Sequence, residues 1–92
     1  MYTVKNTLAE IHNLDGWGTF IDHWSVSGRD AIVWSEQVEN KHGSDAWRTA
    51  YIVRYWDNDQ WIDTRYFQDE VSATEYARDF VNKPHRFPYP TD

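Results

Sequence analysis

The chain contains no cysteine. That excludes disulfide bonds, thiolate-ligated zinc and a thiol nucleophile together. Small secreted domains commonly rely on such staples, so a cytoplasmic protein is the expectation. Proline is almost as scarce, and its three residues all fall after position 83. One domain over 1–83, followed by a Pro- and aromatic-bearing tail at 84–92, is expected. No stretch approaches the roughly 18 apolar residues of a membrane span, and the opening "MYTVKNTLAE" has no apolar run of signal-peptide length. Basic side chains are few: nine stand singly against fifteen acids, for a formal charge of −6. Nucleic-acid surfaces present clustered Lys and Arg. Direct nucleic-acid contact is therefore not expected, whereas attraction to a basic partner is favoured.

Aromatic residues, by contrast, are abundant. Six Trp, six Tyr and four Phe occur in 92 residues. Each ring side chain buries roughly 150–250 Å² when covered. A chain of this length buries only about 60–68% of its unfolded surface. Some rings are thus expected to face solvent or a partner.

The periodicities predict an α+β fold. Val4, Leu8 and Ile11 form one helical stripe in "VKNTLAEIHNL" (4–14). Thr7 and Glu10 fit a capping box that would start the helix at Leu8 instead, and Asp15-Gly16 supplies its stop. Strands are predicted at 18–26, 31–39, 47–56 and 61–67. In the first, Phe20, Asp22, Trp24 and Val26 share a face; in the second, Ile32, Trp34, Glu36 and Val38 do. "SGRD" and "NKHGSD" read as turns. Residues 72–82 predict a second helix, with Ser72 as N-cap, Glu75 at N3 and Val71 stapled to Tyr76. The expected architecture is a four-stranded antiparallel meander with the N- and C-terminal helices packed on one face.

The stretch "YWDNDQW" (55–61) predicts a hairpin tip. With Asn58-Asp59 as the two central turn residues, Trp56 faces Trp61, Tyr55 faces Ile62, Arg54 faces Asp63 and Tyr51 faces Tyr66. Each such pair contributes roughly 0.2–1 kcal/mol. In this register Tyr51, Val53, Tyr55, Ile62 and Tyr66 share one side, the expected helix-facing one, and Ile52, Trp56, Trp61 and Phe67 share the other, the alternative; the sequence leaves the choice of face open.

Chemistry-bearing constellations are sparse. His12, His23, His42 and His85 form no close pair and no HExxH motif, so no metal is expected. "DNDQWID" (57–63) fails as a calcium loop, since Ile62 stands at the sixth position and Gln68 at the twelfth. Asp22 and Glu36 interrupt apolar faces on neighbouring strands; as a catalytic pair they would have to share a pocket. The "GWG" of 16–18 lacks the strand-turn-helix setting of a phosphate loop. No cofactor is expected, and no enzyme.

Surplus aromatics with acidic neighbours instead predict a protein-binding module, because interface cores favour Trp and Tyr. The residues assigned to partner binding are Trp17, Trp56, Asp57, Asp59, Trp61 and Asp63. In size, acidity and lack of cysteine the chain resembles small phage-encoded inhibitors, among them anti-CRISPR proteins. That resemblance rests on gross properties and transfers no residue roles; it implies an inhibitor of a nucleic-acid-handling protein with a basic surface. Two alternatives remain open. One is a carbohydrate or small-ligand module stacking its ligand on Trp17, Trp56 and Trp61, which calls for a coplanar strip or a concavity. The other is a homodimer that buries its own aromatic face.

Overall fold

The computed structural model describes residues 2–39 and 47–83. The expected "NKHGSD" turn, the 84–92 tail, His42 and His85 lie outside the described residues. In chain order the elements are α1 (Val4–His12), β1 (Gly18–Val26), β2 (Arg29–Glu39), β3 (Trp47–Asp57), β4 (Gln60–Phe67) and α2 (Glu70–Asn82). The four strands form one antiparallel sheet in the order β1-β2-β3-β4, the α+β meander that the alternation predicts.

α1 begins at Val4, where the apolar stripe starts, and not at the alternative Leu8; α2 begins earlier than expected. Thr3 caps α1, its hydroxyl accepting from the Asn6 amide at 2.9 Å. Thr7 is instead a buried residue within the helix. Asp69 caps α2 and accepts from the Ser72 amide at 2.7 Å and from the Ser72 hydroxyl at 3.2 Å. These bonds favour the charged carboxylate and hold Asp69 below its ordinary pKa. Ser72 thus supports the cap instead of being it.

The two described hairpin tips share one end of the sheet. Ser27-Gly28 and Asn58-Asp59 all take positive φ, as tight two-residue turns between right-twisted strands require. The tips are joined by the Asn58 amide, which donates to the Gly28 carbonyl at 2.8 Å. A side chain on Gly28 would run into Asn58.

The helices lie on opposite faces of the sheet, not on one. α2 buries Ala73, Ala77, Phe80 and Val81 against Ala31, Val33, Val53 and Tyr55. α1 covers the other side, where Ile11, with Val4 and Leu8, meets Ile32, Trp34, Ala50, Ile52 and Trp56. The reason is that the two central strands are apolar on both faces. Residues 31–34 and 52–56 are consecutive runs of buried side chains. A strand covered on both sides reads this way; one-sided cover would give alternation. The result is three layers, helix–sheet–helix, with two cores.

Two bulges correct the expected faces. Between Phe20 and Asp22 an extra residue enters β1: Phe20 pairs with Trp34, while Asp22 pairs with Val33 on the other face. Ile21 and Trp24 then pack toward α2. In β4, Trp61 faces Trp56 as predicted, but the register shifts beyond it. Tyr55 faces Asp63, Arg54 faces Thr64 and Tyr51 faces Phe67. The expected Arg54–Asp63 pair is therefore not formed, and Tyr66 moves to the α1 side opposite Ile52.

Under α2, the Tyr55 and Tyr76 hydroxyls lie 3.0 Å apart, and Arg65 Nε donates to the Tyr55 oxygen at 3.3 Å. Burial, aided by the Tyr55 hydroxyl, pushes the Tyr76 phenol from 10.0 up to about 12. A raised phenol pKa means that the folded state holds its proton more tightly than the unfolded state. Its contribution to stability is complete below pH 10 and is lost as pH rises toward 12. Denaturation curves across this range should show stability falling. Tyr76→Phe should flatten that alkaline limb while costing about 1 kcal/mol at neutral pH from the lost hydrogen bond. An unchanged limb would show that Tyr76 is not its source.

Candidate functional site

The six residues assigned to partner binding do not form one surface. Trp56 is fully buried, at 0% exposure. Its indole nitrogen donates to the Tyr2 carbonyl at 2.9 Å, and its ring belongs to the α1-side core. It cannot contact a partner, and its assignment to the binding surface is corrected. Asp57 also turns inward, its Oδ2 lying 3.6 Å from Nε of the fully buried Arg29. Asp63 is half-buried; it accepts from the Thr64 amide at 2.7 Å and lies 3.9 Å from Arg65. Asp59, Trp61 and Trp17 are exposed. Trp17, however, lies at the far end of the sheet, where its carbonyl accepts from the Gln37 amide.

The surface around Trp61 is built from below. Arg54 projects from β3 into the α1-side core. Its Nε donates to Thr64 Oγ1 at 2.9 Å, and its Nη1 to Thr7 Oγ1 at 3.1 Å and Glu10 Oε1 at 3.3 Å. The guanidinium lies over the Tyr2 ring, 3.8 Å from its centroid. With the Trp56 bond to the Tyr2 carbonyl, this fixes Tyr2 against the tip of the β3–β4 hairpin. Trp61 meets the Tyr2 ring edge-on, with centroids 4.9 Å apart and planes at 60°. The Trp61 indole nitrogen donates to Thr64 Oγ1 at 3.3 Å, which sets the ring's orientation. Further along the same face of β4 stands Tyr66, 67% exposed, while Trp61 is 43% exposed. Tyr2, Asp59, Gln60 and Trp61 enclose a notch of about 180 Å³. Asp59 also borders a second cleft, with Thr3, Val4, Lys5, Leu8 and Trp56.

Two other features stand apart. At the far end, Trp17 and Trp47 pair with centroids 5.2 Å apart and planes tilted by 55°, both more than half exposed. Between the end of α1 and β1 lies an open cleft of about 620 Å³, lined among others by Leu8, Ile11, His12, Asp15 and Phe20. The coplanar strip of Trp17, Trp56 and Trp61 expected for sugar stacking is not formed, because one ring is buried and the other two occupy opposite ends. Gly18 beside this cleft is required by packing: a side chain there would strike Leu14 and come within 2.7 Å of the Ser35 carbonyl.

The remaining chemical candidates are dispersed. Asp22 is exposed and accepts from the His23 amide, whereas Glu36 accepts from the Trp34 indole at 2.8 Å on the other face. They share no pocket. His12 ends α1 at the surface, and His23 Nε2 lies 2.9 Å from Asp30 Oδ1. Among the described residues no three His, Asp or Glu side chains converge as metal ligands, and no helix is long and apolar enough to cross a membrane. No protein-family model, curated protein or solved structure matches the chain.

Sequence reasoning missed Tyr2, Trp47 and Tyr66. Tyr2 precedes the helical stripe and carries no periodic signal. Simple alternation puts Tyr66 on one side with Tyr51 and Tyr55, because a bulge has no composition of its own to announce it.

Proposed function

We propose that the chain is a non-catalytic protein-binding module, with Tyr2, Trp61 and Tyr66 as the contact surface and Asp59 on its rim. The observation that carries this reading is the exposure of Trp61 and Tyr66 on one face of β4, with Tyr2 against Trp61. Large amphipathic rings held in place lose little conformational freedom on binding, which is why Trp and Tyr dominate interface hot spots. The acidic surplus favours a partner of opposite charge. Arg54 and Arg29 are matched internally by Glu10 and Asp57, so the formal −6 belongs to the rest of the surface. Proteins that handle nucleic acids present basic surfaces of the required sign, and an inhibitor covering one of them is the finer form of the proposal.

Affinity capture from cell extract tests it. The wild-type chain should retain basic proteins, with retention falling as salt is raised beyond about 0.15 M, where the screening length is about 8 Å. Trp61→Ala and Tyr66→Ala should each reduce retention, and Asp59→Asn should slow association at low salt. Equal retention by all variants would remove this surface from the reading. A small-ligand role rests instead on the 620 Å³ cleft, whose size lies in the range of ligand pockets. In that case Phe20→Ala, and not Trp61→Ala, would abolish binding.

A further inference from the structure

The notch at the β3–β4 tip has a shape and charge that select one kind of side chain. We infer that it receives an arginine of the partner protein, an assignment that rests on the protein-binding reading above. At about 180 Å³ the notch is smaller than the roughly 300–1,000 Å³ of sites that enclose whole small molecules. It is sized for one protruding side chain. Tyr2 and Trp61 line it, and their rings are set at 60° to each other. The Trp61 indole N–H is already bonded to Thr64, so this ring offers its π surface and no donor. Asp59 lines it too; it is exposed and, among the described residues, engaged in no ion pair. An apolar side chain would leave that carboxylate unused. A flat cation would use both kinds of group, stacking on a ring while its N–H groups reach the carboxylate.

The molecule already contains such an arrangement. On the inner side of Tyr2, Arg54 stacks on the ring and donates to a carboxylate, that of Glu10. Arg54 is not among the residues lining the notch. The notch thus repeats, on the outside, the ring-and-carboxylate setting that holds a guanidinium inside. Arginine is favoured over lysine because its planar, weakly hydrated fork stacks and donates simultaneously, whereas an ammonium is a compact and strongly hydrated charge. The nearest competing cation is Lys5, which borders the neighbouring cleft with Asp59 but does not line the notch.

The test uses the whole ¹⁵N-labelled chain and two probes, a hexa-arginine and a hexa-lysine peptide, followed by NMR. The arginine peptide should shift the Trp61 indole signal and the Asp59 and Gln60 amides, leaving the Trp17 and Trp47 indoles in place, and should bind more tightly than the lysine peptide. Asp59→Asn and Trp61→Ala should each weaken the arginine peptide by about two- to fivefold, as exposed ion pairs and cation–π contacts do. Both positions are exposed, and retained spectral dispersion would confirm that the variants fold. Equal binding of both peptides with shifts scattered over the acidic surface overturns the inference, as does silence at the notch. Shifts at the notch that follow protein concentration without peptide would assign it to a second copy of the chain, and also overturn it. Capture of a basic protein through Trp17 and Trp47 with a silent notch would end this inference while leaving the protein-binding reading intact.

Discussion

Arg29→Met is expected to lower the unfolding free energy by about 3–5 kcal/mol, the usual cost of removing one partner from a buried ion pair. A domain of this size has about 5–14 kcal/mol in all, so the variant should be close to its folding threshold. Arg29 opens β2 immediately after the Ser27-Gly28 turn, and it is fully buried. Its Nη1 donates to the Phe80 carbonyl at 3.1 Å and the Lys83 carbonyl at 2.8 Å. Those groups end α2, where carbonyls run out of helical donors and the helix dipole is negative. The same guanidinium lies 5.2 Å from the Phe80 ring centroid and 3.6 Å from the Asp57 carboxylate at Nε. One side chain thus joins the first hairpin tip, the second hairpin tip and the C-terminal end of α2. Methionine keeps the bulk but leaves two carbonyls and a half-buried carboxylate without their cation.

Urea denaturation measures the effect: the midpoint should fall with little change in slope, since the folded surface is unchanged. Adding Asp57→Asn to Arg29→Met should recover part of the loss, because the second change removes the carboxylate that the first one strands. A loss below about 1 kcal/mol for Arg29→Met would mean that the buried guanidinium contributes no more than a surface charge does.

The strand-length apolar segments of β2 and β3 made the sheet legible, and the two-residue turn at Asn58-Asp59 was legible from its neighbours. Side chains that join elements distant in sequence were not. "SGRD" reads as turn chemistry, and nothing local distinguishes Arg29 from a solvated arginine; the carbonyls it binds lie more than fifty residues away at the end of α2, and Asp57 lies on another hairpin. The opposite placement of the helices did have a signal. "AIVW" (31–34) and "YIV" (51–53) are unbroken apolar runs in the middle strands, which a sheet with one wet face does not need. That second covered face also absorbs part of the aromatic surplus, since Trp34 and Trp56 fill the core under α1. Exposed rings remain even so, and Trp17, Trp47 and Trp61 are at least 43% exposed. The bulges at Ile21 and Ile62, each a one-residue shift, set the facing of two further exposed rings, Phe20 and Tyr66, on the α1 side.

Position in the sheet, central strand against edge strand, separates the two members of the cross-strand tryptophan pair. Trp56→Ala is expected to cost about 3–5 kcal/mol, the range for deleting a large ring from a closed core. The loss has two parts. The indole fills the space between α1 and the sheet beside Ile32, Ile52 and Trp34, and its N–H anchors the Tyr2 carbonyl at 2.9 Å. Removing it should therefore loosen Tyr2, and with Tyr2 the notch, even in the fraction that stays folded. Trp61→Ala removes a ring that is 43% exposed, hydrogen-bonded to Thr64 at 3.3 Å and edge-on to Tyr2; it should cost about 1 kcal/mol. Thermal denaturation of the two single variants measures the contrast, with a shift of about 4–8 °C per kcal/mol for a domain of this size. Trp56→Phe provides the control: it keeps most of the buried volume but lacks the N–H donor, so it should recover most of the stability and leave Tyr2 unanchored. If Trp61→Ala proved as destabilising as Trp56→Ala, the outer ring would be a structural member of the hairpin and the binding surface would have to be sought at Trp17 and Trp47. If it is nearly neutral, Trp61 is free to act in recognition, and the pair is divided because Trp56 stands on a central strand under α1 while Trp61 stands on the edge strand.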